Sequence, residues 1–358
     1  MKSLRTLPAL LILTALATAQ DSPPAKTRYD FRYSFAAIED ATRYSSLAAP
    51  IPASLNQFLL EPKVTLRYHE RLTVSSSLIG LAGTYNGIHS QLRVKETYVG
   101  ISAGDFDLMA GRKMVRWGTG YAFTAAGVLD PPRDPTNPTD RLNLNLGRDM
   151  VKADWVKGPH ALTVAWSSAV LAPKNTNLHD TTAFRYNVLV RGFDTSLIAG
   201  DDRGGDAFGA LTFTRVFGQA WELHGEAAWR EQGAILIGGK YTTASGVTFI
   251  GEFYTPPNIP YYRDMNLSPL AGRQHYGFFD VGKNRLRELP GWKEWDLGAY
   301  VVTNLNDHSY TAAMDANRRF GNRFSAYVHL EIPQGAKTSD YGATPYSTAT
   351  SIGVRFQL

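Results

Sequence analysis

Cysteine is absent from all 358 residues. A disulfide scaffold is therefore excluded. A lipoprotein anchor is excluded too, since it needs a cysteine after the signal. No segment approaches 18 consecutive apolar residues, so no transmembrane helix is expected. Helical periods are scarce. Charge is nearly balanced, at 37 Lys and Arg against 32 Asp and Glu, for a net charge of +5. Loss of Lys2 and Arg5 with a signal peptide would lower it to +3 (5 minus 2). So small an excess does not suggest nucleic acid as a partner, and any polyanion binding would be local.

The N-terminus reads as an export signal. Lys2 and Arg5 form a positive start, Leu7 to Ala17 is a short apolar run, and Ala17-Thr-Ala19 fits a cleavage site before Gln20. Residues 1–19 are thus expected to be a signal peptide, and residues 20–358 one β-barrel domain.

What is abundant is aromatic residues and two-residue alternation. Tyr29, Phe31, Tyr33 and Phe35 alternate with Asp30, Arg32 and Ser34. Trp221, Leu223, Ala227 and Trp229 alternate with Glu222, His224, Glu226 and Arg230. At the C-terminus Ile352, Val354, Phe356 and Leu358 alternate with Ser351, Gly353, Arg355 and Gln357. Each is a strand with one apolar and one polar face. Such strands average out in a hydropathy window, as those of a transmembrane barrel do.

Short Gly, Asp and Asn turns separate the strands, as at Gly104-Asp105 and Gly158-Pro159. Longer gaps fall at Ile38–Gln57, Trp117–Gly147, Leu171–Thr182, Thr255–Arg273 and Pro333–Pro345. Short turns alternating with long loops suit the periplasmic and extracellular sides of an outer-membrane barrel. A first count gives seventeen strands. Single-chain bacterial barrels have even numbers, and reading His275–Val281 as a strand gives eighteen. Sixteen is the alternative if the weak Asp194–Gly200 and Gln274–Lys283 segments fail. The fold class is therefore all-β, a transmembrane antiparallel up-and-down barrel. A soluble sandwich or propeller would also alternate. Aromatics near segment ends, such as Trp117, Trp166, Trp229 and Trp295, favour interfacial girdles instead.

Gly111-Arg-Lys-Met-Val-Arg-Trp-Gly-Thr-Gly-Tyr121 leads into Leu129-Asp-Pro-Pro-Arg-Asp-Pro-Thr-Asn-Pro138. This resembles a group of Gram-negative outer-membrane porin-like β-barrels, in which a Gly-Arg…Arg-Trp-Gly strand end opens into an Asp-Pro-rich loop. Glu288-Leu-Pro-Gly-Trp-Lys-Glu-Trp-Asp296 and the ending Arg355-Phe-Gln-Leu358 look like the same group. The terminal strand also resembles the C-terminal signal of outer-membrane barrels, which implies the barrel-assembly machinery as a partner. The resemblance implies a pore-forming outer-membrane protein and carries no settled substrate.

The loop Trp117–Gly147 is too long for an ordinary connection. Pro131, Pro132, Pro135 and Pro138 stiffen it and forbid sheet pairing. Folded into the lumen, as in general porins, it would place Arg112, Arg116, Arg133, Asp134, Asp140, Arg141 and Arg148 at or near a constriction. Charged rings set selectivity in pores, and arginine grips carboxylate or phosphate in a two-pronged way. The alternative is that these arginines tie the loop to the wall or meet lipopolysaccharide outside. Opposite the apolar faces of the strands lie Arg32, Asp107, Lys152, Asp154, Arg185, Arg191, Glu222, Glu226, Lys240, Glu252 and Arg355. A lipid-facing Arg or Lys at mid-bilayer costs ~2–4 kcal/mol, so these belong inside or near the interfaces. Glu96 is expected inward, paired with Arg112 or Arg116, with Arg93 and Lys95 outward.

The function expected is a passive channel for small hydrophilic solutes, anionic or zwitterionic, in the outer membrane among its lipid and lipopolysaccharide. No enzyme activity is expected, and no cofactor. An outer-membrane lipid hydrolase is the weaker alternative, because no serine nucleophile motif accompanies His160, His224 or His329. A closed barrel for adhesion or assembly is another. Glu222, His224 and Glu226 share one strand face, which gives poor metal geometry. Asp130, Asp134, Asn137 and Asp140 lack calcium-loop spacing. No metal is expected, and oligomeric state is left open.

Overall fold

A computed structural model describes residues 29–45, 53–84, 88–131, 133–167, 180–202, 206–230, 233–256, 274–286 and 291–358. The expected signal peptide lies outside these residues. So do most of the Leu171–Thr182 and Thr255–Arg273 gaps and the Glu288-Leu-Pro start of one motif.

Eighteen strands form one closed antiparallel sheet. In chain order they begin β1 (Tyr29–Ser45), β2 (Ser54–Tyr68), β3 (Leu72–Thr84), β4 (Ile88–Ala103), β5 (Phe106–Lys113) and β6 (Arg148–Lys157). Next come β7 (His160–Ser167), β8 (Thr181–Val190), β9 (Phe193–Asp202), β10 (Asp206–Phe217), β11 (Trp221–Trp229) and β12 (Gly233–Thr242). The last six are β13 (Val247–Thr255), β14 (Tyr276–Lys283), β15 (Trp295–Asn304), β16 (Ser309–Phe320), β17 (Phe324–Gln334) and β18 (Thr348–Gln357). Each strand pairs with its chain neighbour, and β1 closes the barrel on β18, from Ala36 opposite Gln357 to Ser45 opposite Thr348. Closure leaves no open edge for aggregation along that seam.

The start of β1, the end of β18 and the tight turns lie at one end of the barrel, the periplasmic end by the usual rule. Gly104 and Gly158 take positive φ there, the conformation a two-residue turn needs. The connection at 284–294 is the long exception on that side. On the other side, not every loop is long: residues 305–308, between β15 and β16, number four.

The outward faces are apolar. Leu197, Ile235, Val328 and Ile352 are exposed, with Ile352 at 58%. No described residue covers them, because their partner is lipid. Trp221 and Tyr241 pack together near the periplasmic rim. Arg215 lies over Phe193 and Phe217, and Arg318 over Trp295 and Phe320. Aromatics and snorkelling arginines of this kind mark a membrane interface.

Three readings of the sequence need correction. The Ile38–Gln57 gap is mostly strand, since β1 runs to Ser45 and β2 starts at Ser54. Polar inward residues Asp40 and Thr42 hid the rhythm. Lys95 and Arg93 do not face outward. A β-bulge shifts the β3–β4 register between Ser77 and Leu78 and leaves Lys95 without a partner residue. Beyond it the parity flips, so Arg93 opposes buried Ile79, and Lys95 is itself buried. Arg191 is also not a wall residue, because it occupies the β8–β9 turn at φ 53°.

The lipid-facing assignment makes a direct prediction. Ile352→Arg, mid-strand on the outer face, should lower folding stability in bilayers by about 2–4 kcal/mol. Denaturant titration of refolding into vesicles measures it, and an unchanged midpoint would contradict the assignment.

Candidate functional site: a loop folded across the lumen

Residues 114–147 join β5 to β6, and the described ones, 114–131 and 133–147, fold into the barrel without regular secondary structure. Irregular backbone is costly to bury, because each N–H needs an acceptor. Between Thr119 and Ala126 two inward carboxylates on the wall supply them for seven N–H groups. Glu226 on β11 accepts from the backbone N–H groups of Thr119, Gly120, Ala125 and Ala126 and from the hydroxyls of Thr119 and Thr124. Glu252 on β13 accepts from the N–H groups of Tyr121, Ala122 and Phe123. Asp130, inside the loop, takes those of Trp117 and Gly118 and pairs with Arg133 at 3.2 Å. Burial pushes the Asp130 carboxyl upward, against the opposing pull of Arg133 and the amides.

The first segment of the loop is apolar because the wall beneath it is apolar. Ala122, Phe123 and Ala125 pack on Leu236, Tyr254 and Tyr276. Phe123 stacks on Tyr254 with ring centroids 5.0 Å apart. Trp117, Ala126, Val128 and Leu129 cover Ala165, Ala183, Ile198 and Phe208. Farther along, Leu142 meets Ile38, Leu59, Ile79 and Tyr327. The lumen at this level is therefore substantially filled by an apolar layer.

Around the acidic anchors the wall is shaped for contact. His224 is fully buried, and its Nε2 lies 3.0 Å from Glu252. Gly238 makes this approach feasible, since a Cβ there would sit 2.4 Å from His224 Nε2. Tyr121 donates its hydroxyl to Glu222 at 3.0 Å. Burial and Glu222 together push that hydroxyl upward from its ordinary value.

The loop then returns along the opposite wall. The Tyr300 hydroxyl donates to the Thr136 carbonyl at 2.6 Å. Arg141 donates to Ser351, lies 4.0 Å from buried Asp40, and sits over the Tyr327 ring. Arg355 donates to the Arg141 carbonyl. Lys95 reaches both Glu61 and the Asn143 carbonyl at 3.0 Å.

The charged residues singled out from sequence fall into three groups. Arg116, Arg133 and Asp134 line a cavity of about 200 Å³ within the loop, beside Asp140. Arg141 and Arg355 line a second cavity of about 440 Å³ between the loop and β13–β18. Tyr121 and Pro138 border both. Glu222, Glu226 and Glu252 form the anchor group just described. The rest lie elsewhere. Asp107 takes the Ser102 hydroxyl near the periplasmic turn, and Lys152 pairs with Asp154 in the same half of the wall. Arg112 is held by Asp149, at the parity of outward Leu108 and Ala110. Arg148 stands opposite Lys113 where the loop rejoins the wall. Glu96 pairs with neither Arg112 nor Arg116. It accepts from the Met114 N–H and lies 3.8 Å from Lys63. Arg112 has the outward parity and Glu96, opposite buried Ser77, the inward one, which is why that pairing fails.

Asp40, Glu61, Lys95 and Tyr327 were missed as loop partners. An acid or base on an inward parity was the available signal for Glu61. For Asp40 the strand itself had to be recognised first.

No protein-family model matches the chain, and no curated protein matches it. Solved structures do. Pseudomonas aeruginosa OpdK, determined with vanillate, superposes with a TM-score of 0.64 at 10% identity, over 92% of this chain and 98% of that one. OpdL of the same organism gives 0.64 at 9% identity, over 92% and 99%. OpdQ gives 0.62 at 9%, over 92% and 97%. At these identities the likeness is one of fold, that of outer-membrane porins. A closed eighteen-stranded barrel with an apolar outer band is an outer-membrane protein.

The anchor geometry sets the next expectation. Glu226→Ala leaves four amides and two hydroxyls without their acceptor, at about 1–3 kcal/mol for each one that stays buried and unpaired. The loop should leave its seat, so single-channel conductance should rise at least twofold and become noisier. Unchanged, quiet conductance would count against the anchor.

Proposed function

We propose that this barrel is a passive channel for small hydrophilic solutes, anionic or zwitterionic, whose passage the loop controls. The observation that carries the reading is the pair of adjoining cavities at the loop layer. Arg116 and Arg133 line one and Arg141 and Arg355 the other, so arginines flank the shared border at Tyr121 and Pro138. Guanidinium groups stay charged at any physiological pH and match carboxylate geometry. The vanillate in the OpdK structure is a carboxylate of suitable size. A solute crossing here moves down its gradient.

A lipid hydrolase draws no support from the histidines. His224 meets Glu252, His329 meets Asp315, His160 meets Tyr186 and His275 meets Thr255. Outer-membrane lipid and lipopolysaccharide are the surroundings this function implies, with β18 as the segment read by the assembly machinery. The specific kinship with Gly-Arg…Arg-Trp-Gly barrels belongs to the same proposal, as do the cleaved signal peptide and the absence of enzyme activity.

Planar-bilayer recording tests the function. Wild-type protein should give stable ohmic steps with a reversal potential biased toward chloride in a KCl gradient. Arg116→Glu reverses an exposed charge beside the first cavity and should shift that potential toward potassium. No conductance would overturn the channel, and an unmoved reversal potential would overturn the role of Arg116.

A further inference from the structure

The 440 Å³ cavity has two chemically different ends. On β14–β16 it is acidic, with Asp280, Asp296 and Asp315 facing inward. Toward β18 and the loop it is basic, with Arg355 and Arg141. Gly282 and Gly298 both line the cavity and oppose each other across β14–β15. A Cβ at Gly282 would find its nearest neighbour 3.5 Å away, and one at Gly298 3.8 Å away, so the two glycines leave the wall hollow there. Asp315 stands opposite Gly298 in the ladder, at the edge of this hollow.

The acids differ in what they already hold. Asp296 takes Arg319 at 2.7 Å and Asn317, and Asp315 takes His329 at 2.8 Å. Asp280 lines the cavity with no hydrogen bond or ion pair to any described residue. At the other end, Arg355 spends one Nη2 donor on the Arg141 carbonyl, while its Nε is buried without a hydrogen-bond partner. Arg141 Nε likewise has none. A guanidinium has five donors, so both arginines keep donors for a ligand. Arg141 has Asp40 at 4.0 Å, but Asp280 at one end and Arg355 at the other have no ion-pair partner among the described residues, and partly buried unmatched charge is costly unless something completes it.

We infer that this cavity is a binding subsite for a zwitterion, a small molecule carrying an ammonium group and a carboxylate, with the ammonium on Asp280 and the carboxylate on Arg355 and Arg141. The inference rests on the channel reading and sharpens it from anionic or zwitterionic solutes to zwitterions. The volume suits a small solute. Adjacent strands lie about 4.8 Å apart, so Asp280 on β14 and Arg355 on β18, four strand spacings apart, are separated by roughly 19 Å along the wall, a gap that the long arginine side chains and the loop-borne Arg141 narrow. That favours molecules whose two charges are several bonds apart. A simple anion would satisfy the arginines and leave Asp280 facing it, which discriminates against anions lacking the amine.

Three probes of similar length decide it: 6-aminohexanoate, hexanoate and hexylammonium, each titrated against the KCl current of the full barrel. 6-Aminohexanoate should half-block at a concentration at least tenfold below either single-charge control. Asp280→Asn and Arg355→Gln should each raise its half-blocking concentration at least tenfold. Equal block by hexanoate, or block unaltered in Asp280→Asn, would overturn the subsite. If wild-type barrels carry no current, the channel reading fails by itself. Calorimetric titration of the same three probes into the detergent-purified barrel then decides the subsite: preferential binding of 6-aminohexanoate supports it, and its absence overturns it. The wild-type comparison needs no variant to fold.

Discussion

A coil cannot be buried inside a barrel unless its backbone N–H groups find acceptors there. In this protein seven of them converge on two wall carboxylates, Glu226 and Glu252. The rest of the site depends on that arrangement. The amides hold the Trp117–Leu129 segment against the β7–β14 wall, and its apolar side chains find apolar partners there. The prolines that follow contribute no N–H of their own, which lowers the number of acceptors required. Arg141, Asn143 and Leu142 then fasten the return path to β1, β2, β17 and β18.

Two solvents shape the molecule. Lipid meets the outward set, so Ile352 and Leu197 need no protein partner. Water and the loop share the inward set. Around its acidic anchors, the wall beneath the first segment of the loop is apolar and tyrosine-rich; away from that segment the wall keeps charges such as Lys152, Asp154 and Asp280. The cavities left between these regions are small enough for a solute to touch both loop and wall together. Selectivity in this account follows from that contact, since charges within a narrow, partly desolvated passage act more strongly than charges across a wide pore.

The barrel itself was legible in the sequence. Two-residue alternation marked most strands, and the even-number rule recovered β14, whose turn signals are weak. Alternation puts Glu222, Glu226 and Glu252 on inward parities, but parity says nothing about what a carboxylate will bind. They read as pore charges, whereas Glu226 and Glu252 are backbone acceptors for a distant segment. The apolar lumen patch had a faint signal. Ala234-Ile-Leu-Ile237 is apolar at every position, as a strand covered on both faces would be, and Leu236 is buried beneath the loop. Lys95 was misassigned because a bulge inserts one residue without disturbing local composition. Parity arguments fail from such a point onward.

Amide hydrogen exchange in the folded, lipid-embedded barrel addresses the central claim most directly. The account predicts that the seven amides of Thr119, Gly120, Tyr121, Ala122, Phe123, Ala125 and Ala126 exchange as slowly as those of neighbouring strands β11–β13, although this segment has no ladder partner. Rapid exchange there, at the rate of a solvated surface loop, would contradict it.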